Sequence, residues 1–196
     1  MQIKIAHDYT CPYCWIGWNQ AQILIAEYGV TVDWVGYELY PDNLELPAVH
    51  PPIVAEKGIL RTPTRFEFAL AASNTPKPRY FHDGARIHNA LEATEYAKQQ
   101  RQSQPFVDRL YRALWIEGLD INSIPVLSSL AEGILKDPQE MVRAIECQEF
   151  KDRIVEFDEP AYESGVHHVP TFWIGDKGYA EQPMSVLIRA IKSLQT

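Results

Sequence analysis

Apolar and polar positions exchange at nearly every step in 2-QIKIAHDY-9, with Ile3 and Ile5 on one face, the pattern of a short strand. The period then changes. In 15-WIGWNQAQILIAEYG-29, Trp15, Trp18, Ala21, Gln22 and Ile25 recur at helical spacing, and Gly29 suits a C-terminal stop. Residues 31-TVDWVGYEL-39 return to alternation, Val32, Trp34 and Gly36 against Val35 and Tyr37, and predict a second strand. Between about residues 40 and 80 no long period survives. Seven of the fourteen prolines fall between Pro41 and Pro78, which predicts a long surface excursion with short helices, the kind of loop that carries function.

Helical periods dominate the next stretch. Helix formers fill 88-HNALEATEYAKQQ-100, and in 106-FVDRLYRALWIEG-118 a single stripe holds Val107, Leu110, Tyr111, Leu114 and Trp115. Ile124, Leu127, Ala131 and Ile134 share a face in 123-SIPVLSSLAEGIL-135. Asp137, Pro138 and Glu140 then offer an N-cap, a first-turn proline and a return carboxylate. They predict a helix running from there through Met141 and Ile145 to near Tyr162, with Cys147 in mid-helix as a small core side chain. The tail reads as a hairpin, 170-PTFWIG-175 and 178-GYAE-181 about Asp176-Lys177, followed by a helix from Pro183 with Leu187, Ile191 and Leu194 buried. The order is β-α-β, a helical insertion, then β-β-α. This is an α/β thioredoxin-like arrangement, with residues 1–40 and 165–196 forming the discontinuous core and 41–164 a Pro-rich loop region plus an all-helical subdomain.

Composition narrows the function classes. A net charge of −8 with no Lys/Arg cluster argues against nucleic acid. No apolar run is long enough for a membrane span. The opening MQIKIAHDY has no basic-then-apolar signal pattern, so a cytoplasmic location is expected. Three cysteines in 196 residues do not form a disulfide scaffold.

Two of those cysteines stand three apart in 8-DYTCPYCWIG-17, at the first strand-to-helix junction. Disulfide exchange needs a thiolate, and unpaired N–H groups with the helix dipole favour an anion at Cys11. Cys14 lies one turn on, able to donate to that thiolate and to resolve a mixed disulfide formed there. Pro12 sits where its missing N–H costs little. Two other readings stay open at this point: half of a zinc site, for which the chain offers only Cys147 and scattered histidines at 7, 50, 82, 88, 167 and 168, and a pair of buried structural cysteines.

A second motif favours the redox reading. In 164-SGVHHVPTFWIG-175 a Val-Pro precedes a strand, where thioredoxin-fold redox proteins carry a cis-proline facing the dithiol. The preceding backbone is then free to pair with an extended substrate. Pro12, Tyr13, Val169, Pro170 and His168 are therefore candidate substrate-binding residues beside catalytic Cys11 and Cys14, with no metal expected. His168 stands either near the thiols or out in solvent. His7 reads as a strand-end residue rather than a proton carrier.

With these motifs placed, the chain resembles the DsbA-family thioredoxin-fold proteins of the FrnE-like branch. The resemblance rests on 8-DYTCPYCWIG-17, 91-LEATEYAKQQ-100, 110-LYRALWIEGLDINSIPVLSSLAE-132 and 164-SGVHHVPTFWIGDKGYAEQP-183. It implies redox roles for Cys11 and Cys14, the cis-proline position for Val169-Pro170, and a helical insertion covering the site. Two departures stand out. Members more often carry Pro-Trp or Pro-His between the cysteines, and His167-His168 occupies a place usually held by a small residue. The function implied is thiol–disulfide oxidoreduction without a bound cofactor, on protein or low-molecular-weight thiol and disulfide substrates, with glutathione as a candidate co-substrate. Kappa-class glutathione transferases and 2-hydroxychromene-2-carboxylate isomerases resemble the same architecture, but with serine in the site and no resolving thiol. Glutaredoxins share the Pro-Tyr spacer, yet the Gly-Gly and acidic pair after their proline strand is missing from 175-GDKGYAEQP-183. A peptide-binding module without turnover is the third alternative. Aromatics on the insertion leave a homodimer open.

Overall fold

The computed structural model describes residues 1–42, 44, 64–80, 85–157, 161, 163 and 165–195. Most of the Pro-rich run expected to form an excursion lies outside the described residues, as do His50 and His82.

Strand β1 (Gln2–His7) is central. It pairs in parallel with β2 (Thr31–Glu38) on one side and antiparallel with β4 (Thr171–Ile174) on the other. A two-residue strand, β3 (Val155–Glu156), extends the sheet beyond β2, and β5 (Lys177–Ala180) closes the hairpin with β4, giving the order β3-β2-β1-β4-β5. Register turns the alternation of the sequence into one apolar face. Ile3 lies beside Val32 and Ile5 between Trp34 and Phe172, all of them in the interior except half-buried Val32.

Helix α1 (Pro12–Tyr28) links β1 to β2 and ends at Gly29, whose φ of 61° suits a residue without Cβ and whose N–H caps Ile25. Helix α2 (Arg65–Ser73) starts on a reciprocal capping box between Thr64 and Glu67. Helices α3 (His88–Gln99), α4 (Ser103–Arg112), α5 (Ile124–Ala131) and α6 (Pro138–Glu146) form the helical block. Within it, α3 lies on β2 and packs against α4 and α6. The stripe on α4 continues through a wider turn, Ala113–Glu117, and its apolar members are buried. Helix α7 (Met184–Gln195) lies against β4 with Leu187 and Ile191 buried, whereas Leu194, expected with them, is exposed in the last turn. One apolar cluster joins sheet and helical block, from Ile5 and Trp34 to Leu110 and Met141.

The helix expected from Pro138 to near Tyr162 is shorter. It stops at Glu146, with Gln148 in the left-handed region (φ 53°), its N–H donated to the Ile145 carbonyl and the Glu149 N–H to that of Ala144. This paired closure is usually built on glycine. The chain then makes a turn of 3-10 helix (Lys151–Arg153) and enters β3. Cys147 accordingly caps α6 and is exposed, a correction to the buried mid-helix position read from the sequence. Residues 158–160 and 162, at the end of the expected helix, lie outside the described residues.

Candidate active site

The loop from His7 to Cys11 is held by one buried carboxylate. Asp8 Oδ1 accepts from the Thr10 N–H and hydroxyl, both at 2.6 Å, and from the Cys11 N–H at 3.2 Å, while Oδ2 accepts from the Leu39 N–H at 2.9 Å. Asp8 thereby ties the ends of β1 and β2 to the start of α1. Burial pushes its carboxyl up to about 6, against the pull of those hydrogen bonds. Sequence reading passed over this residue, although Asp-Tyr-Thr carries the signal of an Asx turn.

Cys11 is the N-cap of α1, and its carbonyl accepts from the N–H groups of Cys14 (2.9 Å) and Trp15 (3.2 Å). Its thiol faces the Val169 carbonyl at 3.5 Å. Cys14 is buried below it, hydrogen-bonded to Cys11 and accepting from the Asp8 N–H at 3.5 Å. Burial first, then the hydrogen bond to Cys11, holds the Cys14 thiol well above the usual thiol range. Cys14 is thus a protonated donor at rest. Both cysteines are free thiols here.

Across from them the Val169–Pro170 bond is cis, and both residues are buried. Helix α1 approaches this loop so closely that a Cβ on Gly17 would stand 2.8 Å from the Pro170 Cβ. Helix propensity alone would make Gly17→Ala stabilising by about 1 kcal/mol, but forcing a methyl against a ring costs about 1–3 kcal/mol. The expected outcome is a net loss of stability in urea unfolding together with slower disulfide exchange; a gain in both would show that the loop yields freely.

The floor is aromatic. Trp15 and Trp18 stack at 4.5 Å, Trp115 stacks on Trp15 at 6.1 Å and Tyr111 on Trp18 at 5.8 Å. Indole donors fix the frame: Trp115 Nε1 to the Tyr9 carbonyl and Trp15 Nε1 to that of Pro76, each at 2.8 Å. Elements of the helical block therefore back the dithiol directly. His7 is fully buried beside Tyr9 and Trp34, with Nδ1 3.0 Å from the Tyr111 hydroxyl. Burial, with the charge of Lys98 second, lowers it to about 3, so it is neutral at ordinary pH.

Of the remaining candidates, Pro12 and Tyr13 are half-buried on the first turn. His168 is exposed and meets the loop through its carbonyl, which accepts the Thr171 hydroxyl. The structure brings together Cys11, Cys14, Val169 and Pro170. Among the described residues no group of three or more His, Cys, Asp or Glu side chains is arranged to hold a metal ion.

Beside the dithiol opens a cavity of about 210 Å³, which the sequence did not announce. Tyr13, Ile16, Ala69, Ala72, Pro170 and Met184 supply most of its apolar lining, and Arg65 and Glu181 also border it. The two meet at 2.6 Å, and the Arg65 guanidinium lies 5.1 Å over the Tyr13 ring.

A dithiol at the N-terminus of the first helix, facing a cis-proline loop on a five-stranded mixed sheet, defines a thioredoxin-fold thiol protein. The chain belongs to the DSBA-like thioredoxin domain family, whose profile matches residues 2–192. The uncharacterized protein YwbO of Bacillus subtilis is 28% identical over 180 residues, covering 90% of this chain and 88% of its own. Among solved structures, the probable DsbA oxidoreductase SCO1869 of Streptomyces coelicolor superposes with a TM-score of 0.73 at 22% identity, covering 100% of this chain and 90% of that one. The cytosolic disulfide reductase DsbM of Pseudomonas aeruginosa gives 0.70 at 15% identity, with 100% and 99% covered. A 2-hydroxychromene-2-carboxylate isomerase gives 0.67 at 14%, with 100% and 96% covered. At these identities the structural likeness establishes the fold. No helix among the described residues is long and apolar enough to cross a membrane.

Proposed function

We propose that this chain is a thiol–disulfide oxidoreductase working through Cys11 and Cys14. The observation that carries the reading is the pair itself: Cys11 at the helix N-cap with its thiol 3.5 Å from the Val169 carbonyl, and Cys14 buried one turn further on. In the reducing direction the Cys11 thiolate attacks a substrate disulfide, one substrate sulfur leaves as thiolate, and a mixed disulfide forms at Cys11. Cys14 then loses its proton and attacks the Cys11 sulfur, which releases the second substrate thiol and leaves a Cys11–Cys14 disulfide. Oxidation of a substrate dithiol is the same sequence reversed.

Within the family we place the chain on the FrnE-like branch, and in the cytoplasm, where DsbM, also solved with glutathione, is described. Glutathione is accordingly the candidate reductant. A transferase or isomerase acting on glutathione is the second reading, favoured by the isomerase among the structural neighbours and disfavoured by the resolving thiol at position 14. Insulin reduction and glutathione conjugation, measured side by side, separate the two. Turnover of insulin with no conjugation supports exchange; conjugation without insulin turnover replaces it with the transferase reading.

A further inference from the structure

The cavity beside Pro170 has an apolar wall and a bipolar mouth. Arg65, on the first turn of α2, and Glu181, just past β5, come from parts of the chain 116 residues apart and meet through a single contact, Nη2 to Oε2. Only one of the five guanidinium N–H donors and one of the two carboxylate oxygens are engaged in that contact. Both residues border the cavity, with the Arg65 side chain 76% exposed and that of Glu181 24%, which leaves donors on Arg65 and one oxygen on Glu181 outside that contact.

Glu181 is placed firmly. Its backbone is left-handed (φ 48°), and its N–H donates to the Pro170 carbonyl at 3.0 Å, so its main chain is tied to the loop that faces Cys11. Arg65 is steadied by the ring of Tyr13, one of the two residues between the cysteines. A ligand entering along Tyr13 and Pro170 therefore meets a carboxylate and a guanidinium side by side. A singly charged group satisfies one of them and is repelled by the other. A group bearing an ammonium and a carboxylate together satisfies both, by charge-assisted hydrogen bonds, and need not break the existing pair.

We propose, building on the dithiol reading above, that Arg65 and Glu181 select disulfides carrying a free α-amino-acid end, with Arg65 holding the carboxylate and Glu181 the ammonium. Cystine is the simplest member of the class. The reaction balances without a further reagent: the reduced Cys11–Cys14 dithiol and cystine give the Cys11–Cys14 disulfide and two cysteines, the protein being oxidised and cystine reduced.

Single-turnover oxidation of the pre-reduced, desalted protein tests this with four probes: cystine, cystamine (ammonium only), 3,3′-dithiodipropionate (carboxylate only) and bis(2-hydroxyethyl) disulfide (neither). Leaving-thiol reactivity differs among them. Each rate is therefore divided by that for the hydroxyethyl compound in the same protein, and wild type is compared with Arg65→Met and Glu181→Gln, both checked by thermal melting. The cystine ratio falls about tenfold in each variant, a loss on the scale of one charge-assisted contact. The dithiodipropionate ratio falls only in Arg65→Met and the cystamine ratio only in Glu181→Gln. S-methylcysteine, which keeps the zwitterion and lacks the disulfide, slows cystine reduction by the wild type. Ratios that stay constant, or that fall alike for all three charged probes, overturn the selection while leaving the dithiol chemistry intact. A wild-type protein inert to all four, or a Cys11→Ser variant that still reduces them, overturns the dithiol reading and the selection with it.

Discussion

Cys11→Ser abolishes insulin reduction, with a loss on the order of 10³-fold or more, as expected when the attacking atom itself is removed. Cys14→Ser behaves differently. It can still form the mixed disulfide at Cys11 but has no thiol to resolve it, so it accumulates covalent adducts that non-reducing electrophoresis and mass spectrometry detect. The asymmetry follows from position: Cys11 caps the helix and faces the Val169 carbonyl, whereas Cys14 is 1% exposed and enclosed by Asp8, Cys11 and the helix. Insulin turnover that survives in Cys11→Ser would contradict the assignment, and a Cys14→Ser protein that forms no adducts would contradict the resolving role.

His88→Ala costs about 3–5 kcal/mol of folding stability, the range found when one partner of a buried charge pair is removed. In a protein of this length that lowers the melting temperature on the order of 10 °C. His88 Nδ1 lies 2.8 Å from Glu38 and Nε2 3.1 Å from Glu92, and both carboxylates are almost fully buried. Neutral imidazole carries one N–H; donating to two carboxylates requires the imidazolium. Glu92 in turn accepts the Phe150 N–H at 3.1 Å, and the Glu38 carbonyl accepts the Phe157 N–H at 3.0 Å, so the cluster fixes the chain that forms β3. The hydrogen bond to Glu38, the largest of several causes, raises the pKa of His88 above its ordinary 6.5. A raised cationic group binds its proton more tightly when folded. Its contribution is therefore complete below about 6.5 and is lost as pH rises through the folded value. Urea unfolding of the wild type should show that decline on the alkaline side of 6.5, and His88→Ala should not. Superimposable pH profiles would remove the imidazolium from the account.

The opening strand–helix–strand was legible because its period changes cleanly from two to helical and back, and the stripe on α4 because that helix has one apolar and one polar face. The dithiol was legible because its two members are local in sequence and sit where a strand meets a helix. What escaped reading lacked such local marks. Helix α6 ends on Gln148 in a conformation that glycine normally announces, and β3 is two residues long, too short to show alternation. Asp8 did carry a local turn signal, yet its importance lies in reaching Leu39 across the sheet. The need for glycine at position 17 comes from Pro170, far along the chain. The cavity depends on α2, which follows a proline-rich run without period, and on Glu181, whose partner Arg65 no spacing rule connects to it. His88 reads in sequence as one of six scattered histidines and becomes specific only through Glu38, a strand away.

The central claim is that Cys11 and Cys14 switch together between dithiol and disulfide. Equilibrating the protein in glutathione buffers of graded poise, quenching with acid, alkylating and mapping the peptides by mass spectrometry measures it directly. The account predicts that Cys11 and Cys14 escape alkylation as a pair over one transition and are recovered in one disulfide-linked peptide, while Cys147 follows no such transition with either. Cys11 and Cys14 that stay alkylated at every poise, or that oxidise separately through other partners, would contradict it.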